Sequence, residues 1–233
     1  MDLVWEGIRE AIRLLLTLDP EVLRITLLTL TLSGLATLIS LALGIGTALL
    51  LALTRFPGRG LLISLVNTGM GLPPVVVGLV VTILLWRNGP LGALHLLYTP
   101  AAIVIAQAII ATPIIAGLSL AALQQLPSNL RLQILTLGAT RLQMVWMLIK
   151  EARLPLLAAV MAGFGGVISE VGASIMVGGN IKGSTRVLTT ATVMETGKGN
   201  FDVAIALSVI LLLLLAYLIN LVLTYVQQRE RPR

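Results

Sequence analysis

The sequence predicts an all-α integral membrane protein: five transmembrane helices, an N-terminal amphipathic interfacial helix, and short helices in a cytoplasmic loop. Hydrophobic residues make up 57% of the 233 and charged residues 11%. That is the composition of a membrane chain rather than of a soluble core. Two runs carry no charge, 30 residues between Arg24 and Arg55 and 26 between Asp202 and Arg229. A helix rising about 1.5 Å per residue crosses the roughly 30 Å hydrocarbon layer in about 20 residues, so both runs can span. The remaining apolar runs are separated by segments rich in turn residues.

Residues 1–20 come first. Asp2, Glu6 and Glu10 stand where the positive region of a signal peptide would be, and no small-residue cleavage site is found after them. Leu3, Val4, Gly7, Ile8, Ala11, Ile12, Leu15 and Leu16 fall at helical spacing opposite Glu6, Arg9, Glu10 and Arg13. This pattern predicts a helix lying on the membrane surface.

A single membrane domain then covers 21–228, with spans at about 22–53, 61–86, 100–124, 154–177 and 203–226. Between them lie Arg55-Phe56-Pro57-Gly58-Arg59, Arg87-Asn88-Gly89-Pro90, the segment 125–153 and the segment 178–202. An odd number of spans puts the termini on opposite sides. With the N-terminus outside, nine basic residues fall inside and seven outside, three of those seven around the acidic N-terminal helix. The charge bias therefore places the C-terminus, with its basic tail 229–233, in the cytoplasm.

The inside segment 125–153 reads as two short helices. Pro127 ends the preceding span and Ser128 can cap the first of them, with Leu130, Ile134 and Leu137 on one stripe. Gly138-Ala139 interrupts, and Thr140 can cap a second helix in which Leu142, Val145, Trp146 and Ile149 share a face. Such a pair either docks in a groove on a partner or re-enters the interface before the fourth span.

Little supports chemistry in the chain itself. The stretch GGNIKGST at 178–185 resembles a phosphate-binding loop, but Ser184 stands where a Walker A lysine must be. There is no cysteine, one histidine (His95, in a loop), and neither an H-E-x-x-H nor a G-x-S-x-G motif. No catalytic residue, metal site or cofactor is expected. The sixteen basic residues are dispersed over loops and termini, so nucleic acid is not expected as a partner, whereas membrane lipid is. Glu170 is the one acidic residue well inside a span. A carboxylate there lines a gate or path, or else packs between helices against hydroxyls such as Ser169 and Ser174 or an arginine.

Three blocks together resemble the permease subunits of bacterial and archaeal ABC importers for molybdate and tungstate. They are Leu72-Pro73-Pro74-Val75-Val76-Val77-Gly78 followed by Arg87-Asn88-Gly89-Pro90-Leu91-Gly92, then Leu137-Gly138-Ala139-Thr140, then Ser169-Glu170-Val171-Gly172-Ala173-Ser174 running into Gly178-Gly179-Asn180-Ile181-Lys182-Gly183. The run Met194-Glu195-Thr196-Gly197-Lys198-Gly199-Asn200 is similar to the tungstate branch. Gly138 matches the glycine of the family's ATPase-contacting motif, while Leu132, Gln133 and Ile134 replace its E-A-A, and Leu154-Pro155 arrives four residues late.

The resemblance implies a type I importer permease in a prokaryotic inner membrane, working as a homodimer. A separate ATPase dimer would bind ATP and magnesium on the cytoplasmic side, and an extracytoplasmic protein would deliver the oxyanion. It implies ATPase coupling through Leu137, Gly138, Ala139 and Thr140, and a pathway or gate from Pro73, Pro74, Gly78, Glu170, Gly172 and Ser174. Asn180, Lys182 and Arg186 would lie at the outer mouth. Permeases for phosphate, sulfate or methionine remain open, as does a secondary transporter or channel that uses Glu170.

Overall fold

A computed structural model describes residues 2–127 and 129–229, and among these every regular element is helical. Eleven α-helices occur in chain order: α1 Asp2–Leu16, α2 Pro20–Leu53, α3 Arg59–Met70, α4 Pro74–Leu85, α5 Pro100–Gln124, α6 Leu130–Thr136, α7 Arg141–Glu151, α8 Arg153–Ile168, α9 Gly172–Gly178, α10 Leu188–Lys198 and α11 Phe201–Arg229. A 3-10 turn, Gly92–Leu94, precedes α5. Ser128 and residues 230–233 of the basic tail lie outside the described residues.

By length and composition, α2 and α5 can each cross a membrane alone. Two broken pairs, α3 with α4 and α7 with α8, raise the number to four, and α11 adds a shorter apolar stretch, Phe201–Leu215. The expected second span, 61–86, is therefore not one rod. It breaks at Gly71-Leu72-Pro73, because Pro74 bars the preceding residue from the helical region; Pro73 sits at φ −62°, ψ 123°. The expected fourth span, 154–177, is also interrupted. Helix α8 stops at Ile168 and α9 begins at Gly172, with Glu170 in the gap.

The chain divides into two compact units. One holds the chain up to Leu35, Pro73–Gln107, and everything from Ile168 onward. In it, α1 and α10 both pack on α11. Ala11 of α1 is buried while Leu3, Val4, Trp5 and Ile12 stay exposed, so the helix gives one edge to α11 and keeps a separate apolar face. Val22, Ile25, Leu188, Ala191, Leu207 and Ile210 form the local core, with Leu14 against it. Asp19 starts α2: its Oδ1 accepts from the N–H groups of Glu21 and Val22, each at 3.0 Å.

The other unit comprises Ala36–Leu72 and Ala108–Val167. Ala48 and Leu51 of α2, Leu120 and Leu123 of α5, and Leu156 of α8 make its core. Two arginines finish α2 by donating to carbonyls of its last turn: Arg59 Nε to Leu51 O at 2.7 Å and Arg131 Nη1 to Leu53 O at 3.0 Å. Cations at a helix C-terminus satisfy orphan carbonyls and complement the helix dipole.

Candidate functional site

Leu137, Gly138, Ala139 and Thr140 form the tip between α6 and α7. Gly138 turns the chain at φ +86°, in the left-handed region that side-chain-bearing residues avoid. The second helix starts where the local sequence says it should. Thr140 Oγ1 accepts from the Gln143 N–H at 3.3 Å, and Gln143 Oε1 accepts from the Thr140 N–H at 2.8 Å, a reciprocal capping box.

The packing differs from the expected stripe. Ile134, Met144 and Leu148 are the buried residues of the pair. Leu137 is 86% exposed, Leu142 80% and Trp146 59%, so the expected face of 142, 145, 146 and 149 is split between core and surface. Helix α7 carries apolar residues around most of its girth, so periodicity alone could not choose the face that packs. Leu137 and Trp146 border a cavity of about 480 Å³ whose lining also includes Ile134, Gly138, Gln143 and Met147. Lys150 places its ammonium 5.8 Å from the Trp146 ring, at the far edge of this apolar surface.

Pro74, Gly78, Glu170, Gly172 and Ser174 come together in the other unit, where α4 packs on α9. A Cβ on Gly78 would stand 2.7 Å from Ala173 Cα, and one on Gly172 2.7 Å from Val75 Cγ2. The crossing therefore needs small residues on both helices. Glu170 is buried, and its Oε1 accepts from the Ala173 N–H at 2.8 Å while its own carbonyl accepts from Thr189 Oγ1 at 2.9 Å. The carboxylate thus satisfies a free donor at the start of α9, a bond to the backbone. The Ser174 hydroxyl, expected as a partner of Glu170, is buried and makes no hydrogen bond among the described residues.

The loop 178–187 is held by its own side chains. Thr185, fully buried, donates to the Gly178 carbonyl and accepts from the Ile181 N–H at 2.9 Å. Asn180, at φ +51°, donates to the Thr190 carbonyl at 3.3 Å and accepts from the Thr190 hydroxyl at 3.0 Å. Lys182 and Arg186 are engaged by one carboxylate: Glu21 lies 2.6 Å from Lys182 Nζ and 3.4 Å from Arg186 Nη1. Arg24 donates to the Gly183 carbonyl at 2.7 Å. The roles of Glu21 and Arg24 escape a reading of the sequence, since a carboxylate at a helix start looks like a dipole partner and nothing local marks a contact across more than 150 residues.

At the end of α10, Glu195 accepts from Lys198 Nζ and Asn200 Nδ2, both at 2.7 Å. Those hydrogen bonds, from Lys198 first and Asn200 second, hold its carboxyl below the ordinary glutamate value. Among the described residues no cluster of His, Asp or Glu could hold a metal.

The chain is 40% identical over 228 residues to the tungstate uptake system permease protein TupB of Peptoclostridium acidaminophilum, covering 98% of this chain and all of that one. It is 43% identical over 195 residues to a probable anion ABC transporter permease of Haloferax volcanii, covering 82% and 84%. The molybdenum transport system permease ModB of Escherichia coli K12 is 32% identical over 216 residues, covering 86% and 94%. The fold matches inward-facing structures of the MetNI methionine ABC transporter, with a TM-score of 0.74 at 21% identity over 93% of this chain and 99% of that one. Proteins of this kind are multi-pass components that work with a binding protein and a separate ATPase, in which the hydrolysis takes place. Residues 25–232 match the family described as binding-protein-dependent transport system inner membrane component, and the chain belongs to it.

Proposed function

We propose that this chain is the membrane pathway of an ATP-driven importer of tungstate, with molybdate as the neighbouring oxyanion. The observation that carries this reading is the end-to-end likeness to a tungstate uptake permease. In this reading two copies assemble as a homodimer in a prokaryotic inner membrane, N-termini outside and C-termini in the cytoplasm. The helix 1–20, the permease domain 21–228 and the basic tail 229–233 form one subunit without cofactors. ATP and magnesium are bound by an ATPase dimer.

The tip at Leu137, Gly138, Ala139 and Thr140 enters a groove of that ATPase. The exposed Leu137, Leu142 and Trp146 supply apolar contact, and the capping box keeps the second helix rigid enough to transmit a push. Closure of the ATPase pair moves this lever and rocks the subunits between outward and inward states. Pro73, Pro74, Gly78, Gly172 and Ser174 shape the path beside the gate. Glu170 holds the start of α9 and does not ligate the cargo, since two anions repel. Asn180, Lys182 and Arg186 lie at the outer mouth, near the docking site of the binding protein.

The test reconstitutes the chain in liposomes with its ATPase and binding protein and measures ATP hydrolysis. Stimulation by tungstate-loaded binding protein above the empty, molybdate-loaded or phosphate-loaded forms is the expected result. Equal rates with all forms contradict the substrate assignment. The sidedness is tested by Ser184→Cys in this cysteine-free chain: an impermeant thiol reagent added outside should label it, and protection inverts the orientation.

A further inference from the structure

The loop carrying Lys182 and Arg186 covers a second cavity, about 470 Å³, against the first turns of α2. Its charged wall is Arg24, Lys182 and Arg186 against a single carboxylate, Glu21, and Ser184 adds a hydroxyl. Its apolar wall includes Ile25 and Leu28. Lys182 and Arg186 also border a neighbouring cavity with Glu10, Asp19 and Glu195, but on the side facing α2 two features leave room for a further anion. The Nε of Arg186 is buried without a hydrogen-bond partner among the described residues. The carboxylate that engages the cations is itself weakly held, since the side chains of Glu21 and Lys182 are 44% and 67% exposed, and solvent-exposed ion pairs contribute little.

The depth of this cavity is set by the helix below it. The 30 uncharged residues after Arg24 rise about 45 Å, more than the hydrocarbon layer is thick, so Arg24 emerges at headgroup level. Directly below it on the same face, Leu27, Thr31 and Leu35 are exposed at spacings of four. The Thr31 hydroxyl donates to the Leu27 carbonyl, so the structure places a cationic pocket at the top of a stripe of two leucines and an internally bonded threonine. We infer that this pocket binds the phosphate of an anionic phospholipid, the headgroup bridging Arg24, Lys182 and Arg186 while one acyl chain lies along the α2 stripe. Glu21 is the internal anion that the phosphate displaces. The charge complementarity favours a lipid over a second copy of the chain, whose own α2 would bring the same cations to the stripe.

Native mass spectrometry of the full chain in detergent, challenged with phosphatidylglycerol, phosphatidylcholine or inorganic phosphate, tests this. Phosphatidylglycerol should be retained in preference to phosphatidylcholine, and inorganic phosphate at equal concentration should not displace it. Each basic residue near an anionic headgroup is worth roughly five-fold in affinity, so Lys182→Gln should weaken retention about five-fold. Glu21→Gln, by removing the carboxylate that pairs with Lys182 and Arg186 in this pocket, should strengthen it, a gain that a merely structural role would not produce. Equal retention of the two lipids, or wild-type retention in both Lys182→Gln and Arg24→Gln, overturns the proposal. Displacement by inorganic phosphate assigns the cations to a free oxyanion and also overturns it. So does a Leu27→Cys disulfide between two copies that forms with no lipid retained.

Discussion

At Gly138 the backbone turns at φ +86°, and beyond its two chain neighbours no atom lies within 4 Å of where a side chain would begin. At Gly78 the backbone is helical, and the Ala173 backbone stands 2.7 Å from that same point. The first glycine is needed for its conformation and leaves open space in front of an apolar surface. The second is needed for its size and leaves none. A substitution at the tip should therefore damage what the protein does to a partner, whereas a substitution at the crossing should damage the protein itself.

The largest expected effect is at the tip. Gly138→Trp should abolish ATP-driven uptake while membrane insertion is kept and stability falls only by the roughly 1–2 kcal/mol that a side chain costs in the left-handed region, because the ring otherwise meets solvent here and the partner's groove in the complex. Gly138→Asn sharpens the point: asparagine tolerates the left-handed region, so uptake should largely survive. Normal uptake by the tryptophan variant would remove the tip from the coupling path. At the crossing, Gly78→Leu should destabilise by roughly 3 kcal/mol through overpacking against α9, seen as a lowered midpoint in detergent before any transport assay. An unchanged midpoint would mean that α4 and α9 separate easily.

A smaller effect is expected at Glu170. Glu170→Ala leaves the Ala173 N–H without its acceptor and should cost about 1 kcal/mol, as lost helix caps do. Glu170→Gln keeps an amide oxygen for that bond and should hold most of the stability. If the glutamine variant is stable but its basal ATP hydrolysis or uptake changes, the charge acts in gating as well. The smallest effect concerns Glu195. Its lowered pKa means that its bonds to Lys198 and Asn200 stabilise the folded form above the ordinary glutamate value, about pH 4.3, and that this contribution fades as pH falls through the lower folded value. Protection of the Gly199 and Asn200 amides, measured as exchange relative to the intrinsic rate at each pH, should fall only below that pH, and Glu195→Gln should remove the dependence.

The two regions also differ in how much of them the sequence discloses. The tip is local: a proline, a glycine and the Thr140–Gln143 spacing lie within a few residues, so the two helices and the cap arise from short-range rules. Which side of α7 would be left uncovered is not fixed by those rules, because Leu142, Met144, Val145, Trp146 and Leu148 are all apolar. The crossing is non-local. Pro73-Pro74 signals a disturbance in the second span, but the apolar runs that flank it, like those that flank Ser169-Glu170, are long enough for each break to hide within a single expected span. The bond from Ala173 to Glu170 needs the break to exist before it can form. Glu21 with Lys182 and Arg186 is further out of reach, joining segments that no periodicity connects.

The most direct measurement is tungstate accumulation in liposomes that hold the chain and loaded binding protein, with and without the ATPase. Uptake that requires the ATPase and ATP, and that fails with Gly138→Trp, is the predicted result. Tungstate flux through the chain alone, unchanged by ATP, would contradict the account and point to a secondary transporter or channel built around Glu170.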